Sequence, residues 1–193
     1  MKDEPNLYDA VARVLAREPG SSMREIATAA GIGRTTLHRA FGDRETLVER
    51  VSEHVLADCS RLFDEADIDH APVLEAFDRL LDATVSLALA YALLFAEPHV
   101  YRVPRLVAEI RTQDERFEHF FARGQTAGAF RPDLPARWLV YSVGSQLTAI
   151  WWAIDDGFVG VRDAPRLVRA TVLGGIATRG TIDSPALASY SRP

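Results

Sequence analysis

The apolar residues of this chain recur at helical spacing. Over residues 5–18, Leu7, Ala10, Val11, Val14 and Leu15 form the i, i+3, i+4, i+7 stripe of an amphipathic helix, which Pro19-Gly20 stops. Ser22 and Glu25 then make a capping box, so a second, short helix starts near Met23; Ile26, Ala27 and Ala30 lie on its inner side. Gly31 ends it, because glycine best tolerates the left-handed conformation that closes many helices. After the turn Gly31-Ile32-Gly33, a third helix over 34–41 buries Leu37, Ala40 and Phe41. Asp43 caps a fourth that runs to about Ala66 with Leu47, Val51, Val55, Leu62 and Phe63 inward.

Beyond a turn at 67–72, the pattern predicts one helix over 72–96. Its end, LALAYALLFA, is apolar on every side, as a central helix surrounded by others must be. Glu97-Pro98 breaks it. A short helix near 103–109, a longer one to about Thr126, the loop GAFRPDLP and two helices over 136–156 and 164–179 follow. The expected fold is all-α: a three-helix head containing a helix-turn-helix, joined by a long linking helix to a helical-bundle body. The expected division is a head over 1–50, a body over 51–182, and a Ser- and Pro-rich tail over 183–193, read as disordered.

The surface of the third helix carries the candidate chemistry. Two short helices joined by a glycine-containing turn, the second presenting small polar and basic residues, have the shape that inserts into a major groove. Arg can pair bidentately with guanine or with phosphate, and Thr offers a hydroxyl and a methyl to base edges. Arg34, Thr35 and Thr36 are the expected base readers; His38, Arg39 and Arg44 are the expected phosphate contacts.

The run REIATAAGIGRTTLHRAFGDRETLVERV resembles the DNA-binding segment of the TetR family of one-component transcriptional regulators. The resemblance lies at Ile26-Ala27, Ala30-Gly31-Ile32, Thr36-Leu37, Phe41 and Glu45 to Leu47. It departs at two positions, where the family usually has Tyr for His38 and Lys for Arg44; both replacements can donate to a phosphate oxygen. The segments GQTAGAFRPDLPARW and LVRATVLGGIA resemble the ligand-binding and dimerisation region of actinobacterial-type members. The resemblance implies a homodimer in which each chain gives two helices to a four-helix bundle.

A net charge of −5 argues at first against nucleic acid, and residues 1–54 hold eight Lys/Arg against nine Asp/Glu. Between Gly31 and Arg44, however, three Arg face one Asp. A small footprint is expected, with discrimination coming from base contacts and from the avidity of a dimer. The single Cys59 cannot form an intramolecular disulfide, and MKDEPNLYD lacks the apolar region of a signal peptide, so the expected location is cytoplasmic. With Asp58 beside it and no basic neighbour, Cys59 lacks a reason for a lowered pKa and hence for a redox role. The apolar stretch 83–96 is about fourteen residues, short of the ~20 that cross a bilayer. No His/Cys spacing suggests a metal, and neither GxxxxGK nor GxSxG occurs, so no enzyme activity, cofactor or metal is expected.

Helix 136–156 is apolar on two faces, one with Trp138, Tyr141, Ser145, Thr148 and Trp152, the other with Leu139, Val143, Leu147, Ile150 and Ile154. A small domain buries one such face, so the other is expected to meet a second subunit. Ala170, Gly174 and Ala177 on the last helix would let a partner helix approach, giving an expected dimer interface of Trp138, Tyr141, Trp152, Ala170, Gly174 and Ala177. Tyr91, Phe95, Phe117, Phe121 and Trp151, with Gln125 and Gln146, are the expected walls of a pocket for a small apolar or aromatic effector. Glu97, Asp114 and Glu118 either attract a cationic ligand or are solvated helix charges.

The sequence therefore predicts a DNA-binding transcriptional regulator, a ligand-released repressor that binds a near-palindromic double-stranded operator as a homodimer. The competing reading is a helical interaction module regulated by a partner protein, with DNA binding weak or lost.

Overall fold

The computed structural model describes residues 4–178, and among these it is helical throughout apart from turns and one isolated bridge. The expected tail over 183–193 lies outside the described residues. The head is built from α1 (Glu4–Arg17), α2 (Met23–Ala29) and α3 (Arg34–Phe41), and α4 (Arg44–Ala66) leads out of it. Both expected caps form. The Ser22 N–H donates to Glu25 Oε2 at 2.8 Å while the Glu25 N–H donates to Ser22 Oγ at 3.3 Å. The Thr46 N–H donates to Asp43 Oδ1 at 2.8 Å. Gly31, at φ +66°, turns the chain in the left-handed region where only glycine sits without strain. Val11, Leu15, Ile26, Leu37, Phe41 and Leu47 close the head's core. The first helix does more than back the helix-turn-helix, because it also packs along α4 and along a helix of the body.

The body departs from expectation in two places. In place of one helix over 72–96, α5 (Val73–Asp82) and α6 (Thr84–Ala96) meet at Ala83 with a bend of 78°. At the bend the Thr84 hydroxyl donates to the Leu81 carbonyl at 2.6 Å, so a side chain takes over an acceptor that a continued helix would have used. The bend lets α6 cross the body's centre, packed by α1, α4, α8 (Ala136–Asp155) and α9 (Ala164–Ile176). Second, the two helices expected over 103–126 are one, α7 (Pro104–Thr126), preceded by a 3-10 helix Pro98–Arg102. Pro104 starts α7, where its missing N–H costs nothing, and no breaker follows it.

The rings of Phe63, Phe117, Phe120, Phe121 and Phe130 form one cluster with centroids 4.6–5.9 Å apart along successive contacts. Gly124 makes room for it, since a Cβ there would lie 2.2 Å from the Phe130 ring. Among the described residues no single helix is long and apolar enough to cross a membrane.

Candidate DNA-reading face and ligand chamber

The third helix is held from behind and bare in front. Leu37 and Phe41 are buried, the Tyr8 ring meets Phe41 edge-on at 5.4 Å, and the Arg50 guanidinium donates to the Ala40 carbonyl at 2.9 Å. Arg34, Thr35, Thr36, His38 and Arg39 are all exposed. The fold thus brings five of the six expected DNA contacts to one surface. On α2, Arg24 and Thr28 are exposed as well, two positions that the periodicity argument passed over.

His38 is constrained in how it can act. Its Nδ1 lies 3.0 Å from the Gly42 carbonyl, which can only accept, so Nδ1 carries the proton of that bond. A neutral His38 then presents Nε2 as an acceptor, and only the imidazolium can donate from it to a phosphate oxygen.

Arg44 does not join this face. Its Nε donates to the Ser21 carbonyl at 2.9 Å and its Nη2 to Glu97 Oε2 at 2.6 Å. The Arg44 side chain is 27% exposed and that of Glu97 only 4%. An arginine expected on phosphate is instead a strut between the loop before α2 and the end of α6, and Glu97, expected to draw a ligand or to be solvated, is its buried partner. Beside it, Glu49 accepts from Arg105 at 2.5 Å and faces His99 at 3.3 Å. Those contacts, the Arg105 bond foremost, hold the Glu49 carboxyl below its usual range.

The pocket residues expected from sequence fall into three places. Tyr91 and Phe95 do line a cavity of about 440 Å³, which lies between α4, α6, the 3-10 helix, α7 and α8. Trp151 lines a second cavity of about 330 Å³, between α1, α4, α6 and α8. Phe117 and Phe121 belong to the buried ring cluster and line neither. Gln125 is occupied elsewhere, its Nε2 donating to the Arg131 and Leu134 carbonyls at 3.0 and 2.7 Å to brace the loop after α7. Gln146 is half-buried on α8 away from both cavities.

The 440 Å³ cavity is completed by residues outside that expected pocket: Asp114 was expected as a candidate charge for a cationic ligand, Tyr141, Ser145 and Thr148 as an interface face, and the rest were missed. Leu56, Cys59 and Phe63 come from α4, Tyr101 from the 3-10 helix, Gln113 and Asp114 from α7. From α8 come Tyr141, Gly144, Ser145 and Thr148. The signal was there, since small polar Ser145 and Thr148 beside aromatics suit a cavity as well as an interface. Gly144 lets the Tyr91 ring lie against α8, where a Cβ would approach it to 2.8 Å. Burial pushes the Tyr91 phenol up, and it raises the Cys59 thiol to about 12, which leaves that thiol protonated and unreactive.

Trp138, Tyr141 and Trp152 are exposed at 57, 55 and 40%, and Ala170 and Gly174 are exposed as well. Ala177 is not available for contact. It is buried in an antiparallel bridge to Phe130, where the Arg131 N–H donates to the Ile176 carbonyl at 2.8 Å.

One group has the composition of a metal site. Asp9, His54 and Asp58 each bring one ligand atom within 4.8 Å of the others. His54 Nε2 lies 3.4 Å from Asp9 and 3.5 Å from Asp58, spacing that an ion pair tying α1 to α4 accounts for.

Comparison with known proteins agrees with the head geometry. Residues 7–51 match the family described as bacterial regulatory proteins, tetR family. The HTH-type transcriptional regulator NfxB of Pseudomonas aeruginosa is 31% identical over 140 residues, which cover 69% of this chain and 72% of that protein. The HTH-type transcriptional repressor LfrR of Mycolicibacterium smegmatis is 29% identical over 151 residues, 78% of either chain. Among solved structures, the TetR-like regulator LfrR in complex with proflavine superposes with a TM-score of 0.68 at 25% identity, over 90% of this chain and 96% of that one.

Proposed function

Because the chain belongs to the TetR family of bacterial transcriptional regulators, we propose that it is a cytoplasmic repressor that grips a near-palindromic operator as a homodimer and releases it when a small aromatic molecule fills the 440 Å³ chamber. The observation that carries this reading is the third helix, anchored by Leu37 and Phe41 and bare at Arg34, Thr35, Thr36, His38 and Arg39.

In this reading Arg34, Thr35 and Thr36 meet base edges, and His38 and Arg39 meet phosphates. With Arg44 withdrawn, the expected contacts keep two arginines, Arg34 and Arg39 of α3, so the electrostatic contribution is small and two heads acting together must supply affinity. The α8 face bearing Trp138 and Trp152, with Ala170 and Gly174 of α9, is the surface suited to a second copy. The two reading helices would then sit about one turn of DNA apart, ~34 Å, or a multiple of it.

Release follows from where the chamber sits. Its walls include α4, which leaves the head, and the end of α6, which is tied to the head by Glu97 and Arg44. A ligand that binds a tilted α4 better than the DNA-competent one shifts the balance by that difference in affinity. LfrR, a relative of similar fold, has been crystallised with proflavine, which supports an aromatic occupant here.

Genomic fragments captured by the purified protein and then sequenced should yield a motif with two related half-sites. Fluorescence anisotropy on that motif and on a scrambled duplex tests the reading helix. No enrichment over random DNA, or equal affinity for both duplexes, would refute the repressor reading.

A further inference from the structure

His38 stands in the last turn of α3 with an exposed side chain. It falls on the reading face, one turn after Arg34 and Thr35. Its Nδ1 lies 3.0 Å from the Gly42 carbonyl, and an acceptor there requires the proton on Nδ1. Nε2, across the ring, is then a lone pair in the neutral histidine and a donor only in the imidazolium. Donation from Nε2 by a neutral ring needs the other tautomer, which sets the Nδ1 lone pair against the Gly42 oxygen and forfeits that bond. A phosphate oxygen also only accepts. The two protonation states of this ring therefore meet the DNA backbone in opposite ways, one bonding to it and the other repelling it.

Most of the carboxylates around α3 are committed. Asp43, beside Gly42, accepts from the Thr46 N–H at 2.8 Å, and Glu25 of α2 accepts from the Ser22 N–H at 2.8 Å. From α1, Tyr8 reaches α3 through Phe41, and Asp9 pairs with His54. On α4, Glu45 is exposed, while Arg44 is bound to Glu97 and Arg50 to the Ala40 carbonyl. The remaining exposed charges on α2 and α3 are Arg24, Arg34 and Arg39, of the same sign as an imidazolium. A charged His38 is thus a third cation on α3, a large share of a small electrostatic footprint, and a phosphate is the counter-charge that favours it.

We propose, on the reading that α3 enters the major groove, that His38 grips the duplex backbone only as the imidazolium, so that each reading head takes up a proton as it closes on DNA and the hold loosens as pH rises. Operator occupancy then reports pH as well as effector, through a residue that touches the DNA itself.

The test uses the full chain with two rhodamine-labelled duplexes, one bearing the captured motif and one scrambled. Anisotropy is read at about pH 6 and about pH 8, where an ordinary histidine is mostly charged and mostly neutral. Parent affinity for both duplexes should fall about tenfold per reading head between the two, the usual effect of losing a hydrogen bond to a charged group. The slope of log affinity against log salt should be shallower at the higher pH by about one per head. The other four histidines lie off α2 and α3, and whatever they contribute persists in the variants. His38→Ala should bind at the lower pH about as weakly as the parent does at the higher. His38→Gln, whose amide donates uncharged at either pH, should hold an affinity between the parent's two values and one salt slope at both, with far-UV circular dichroism confirming the fold. A loss in His38→Ala that is equal at both pH values, as a purely structural bond to Gly42 would give, overturns the inference. So does a pH dependence unchanged in His38→Gln. Preference for the motif over the scrambled duplex then leaves the repressor reading standing. A parent with no such preference at either pH overturns that reading and the inference that rests on it.

Discussion

Replacing Arg44 separates two roles that the sequence alone could not tell apart. Arg44→Met removes the guanidinium that donates to Glu97 at 2.6 Å and to the Ser21 carbonyl at 2.9 Å, and keeps most of the aliphatic stem. The Glu97 carboxylate, 4% exposed, is left in the interior with only the His99 N–H at 3.4 Å. Breaking a buried pair from one side typically costs 3–5 kcal/mol, and because Arg44 is itself 27% exposed the lower end, about 3 kcal/mol, is expected here. Replacing both partners, Arg44→Met with Glu97→Leu, should recover most of that, to within ~1 kcal/mol of the parent, because no charge is then stranded. Urea unfolding of the parent, both single variants and the double variant measures the coupling directly. Operator binding supplies the second readout. A phosphate contact contributes ~0.9 to the slope of log affinity against log salt, so a strut leaves that slope unchanged while a phosphate ligand lowers it by about one. Stability unaltered in Arg44→Met, together with a slope reduced by one, would refute the strut and return Arg44 to the DNA.

Four other outcomes are expected. Thr36→Ala should cost ~1–3 kcal/mol at one base position of the operator and little elsewhere, so equal losses on operator and scrambled duplexes by anisotropy would remove Thr36 as a reader. Gly174→Leu should leave unfolding of the single chain unharmed, since nothing lies within 4 Å of an added Cβ, yet shift sedimentation from dimer to monomer; an unchanged dimer would take α9 out of the interface. Phe121→Ala, at 0% exposure in the ring cluster, should cost ~3–5 kcal/mol and impair folding, DNA binding and ligand binding together, whereas a selective loss of ligand response would place it at the chamber after all. The Cys59 thiol is raised from 9.0 to about 12 by burial, so its contribution to stability is fully present below pH 9.0 and is lost as pH rises from there towards about 12, where the unfolded chain ionises first; Cys59→Val should lose less stability over that window, and parallel pH curves would contradict the burial argument.

The head was legible because its signals are local. Ser22 with Glu25, Gly31, and Asp43 each act within three or four residues, and the reading face follows from one turn of periodicity on α3. The body's failures have the opposite character. Ala83 is a good helix former, so nothing in its neighbourhood announces a 78° bend; packing of α6 against four other helices decides it. Glu97 beside Pro98 reads as a helix end, and its partner lies 53 residues earlier in the chain. Phe117 and Phe121 have the spacing of a pocket wall and of a core alike, and only the rings of Phe63 and Phe130, from other elements, place them in the core. The chamber itself is assembled from α4, α6, the 3-10 helix, α7 and α8, which no single periodicity can register.

Cys59 stands in the walls of both the 440 Å³ and the 330 Å³ cavity. One small side chain therefore belongs to the boundary of both compartments. A larger side chain at this one position would take space from both compartments at once, with no helix moved. The room left in either compartment is then set in part at a position common to both, separately from the side chains that line only one of them.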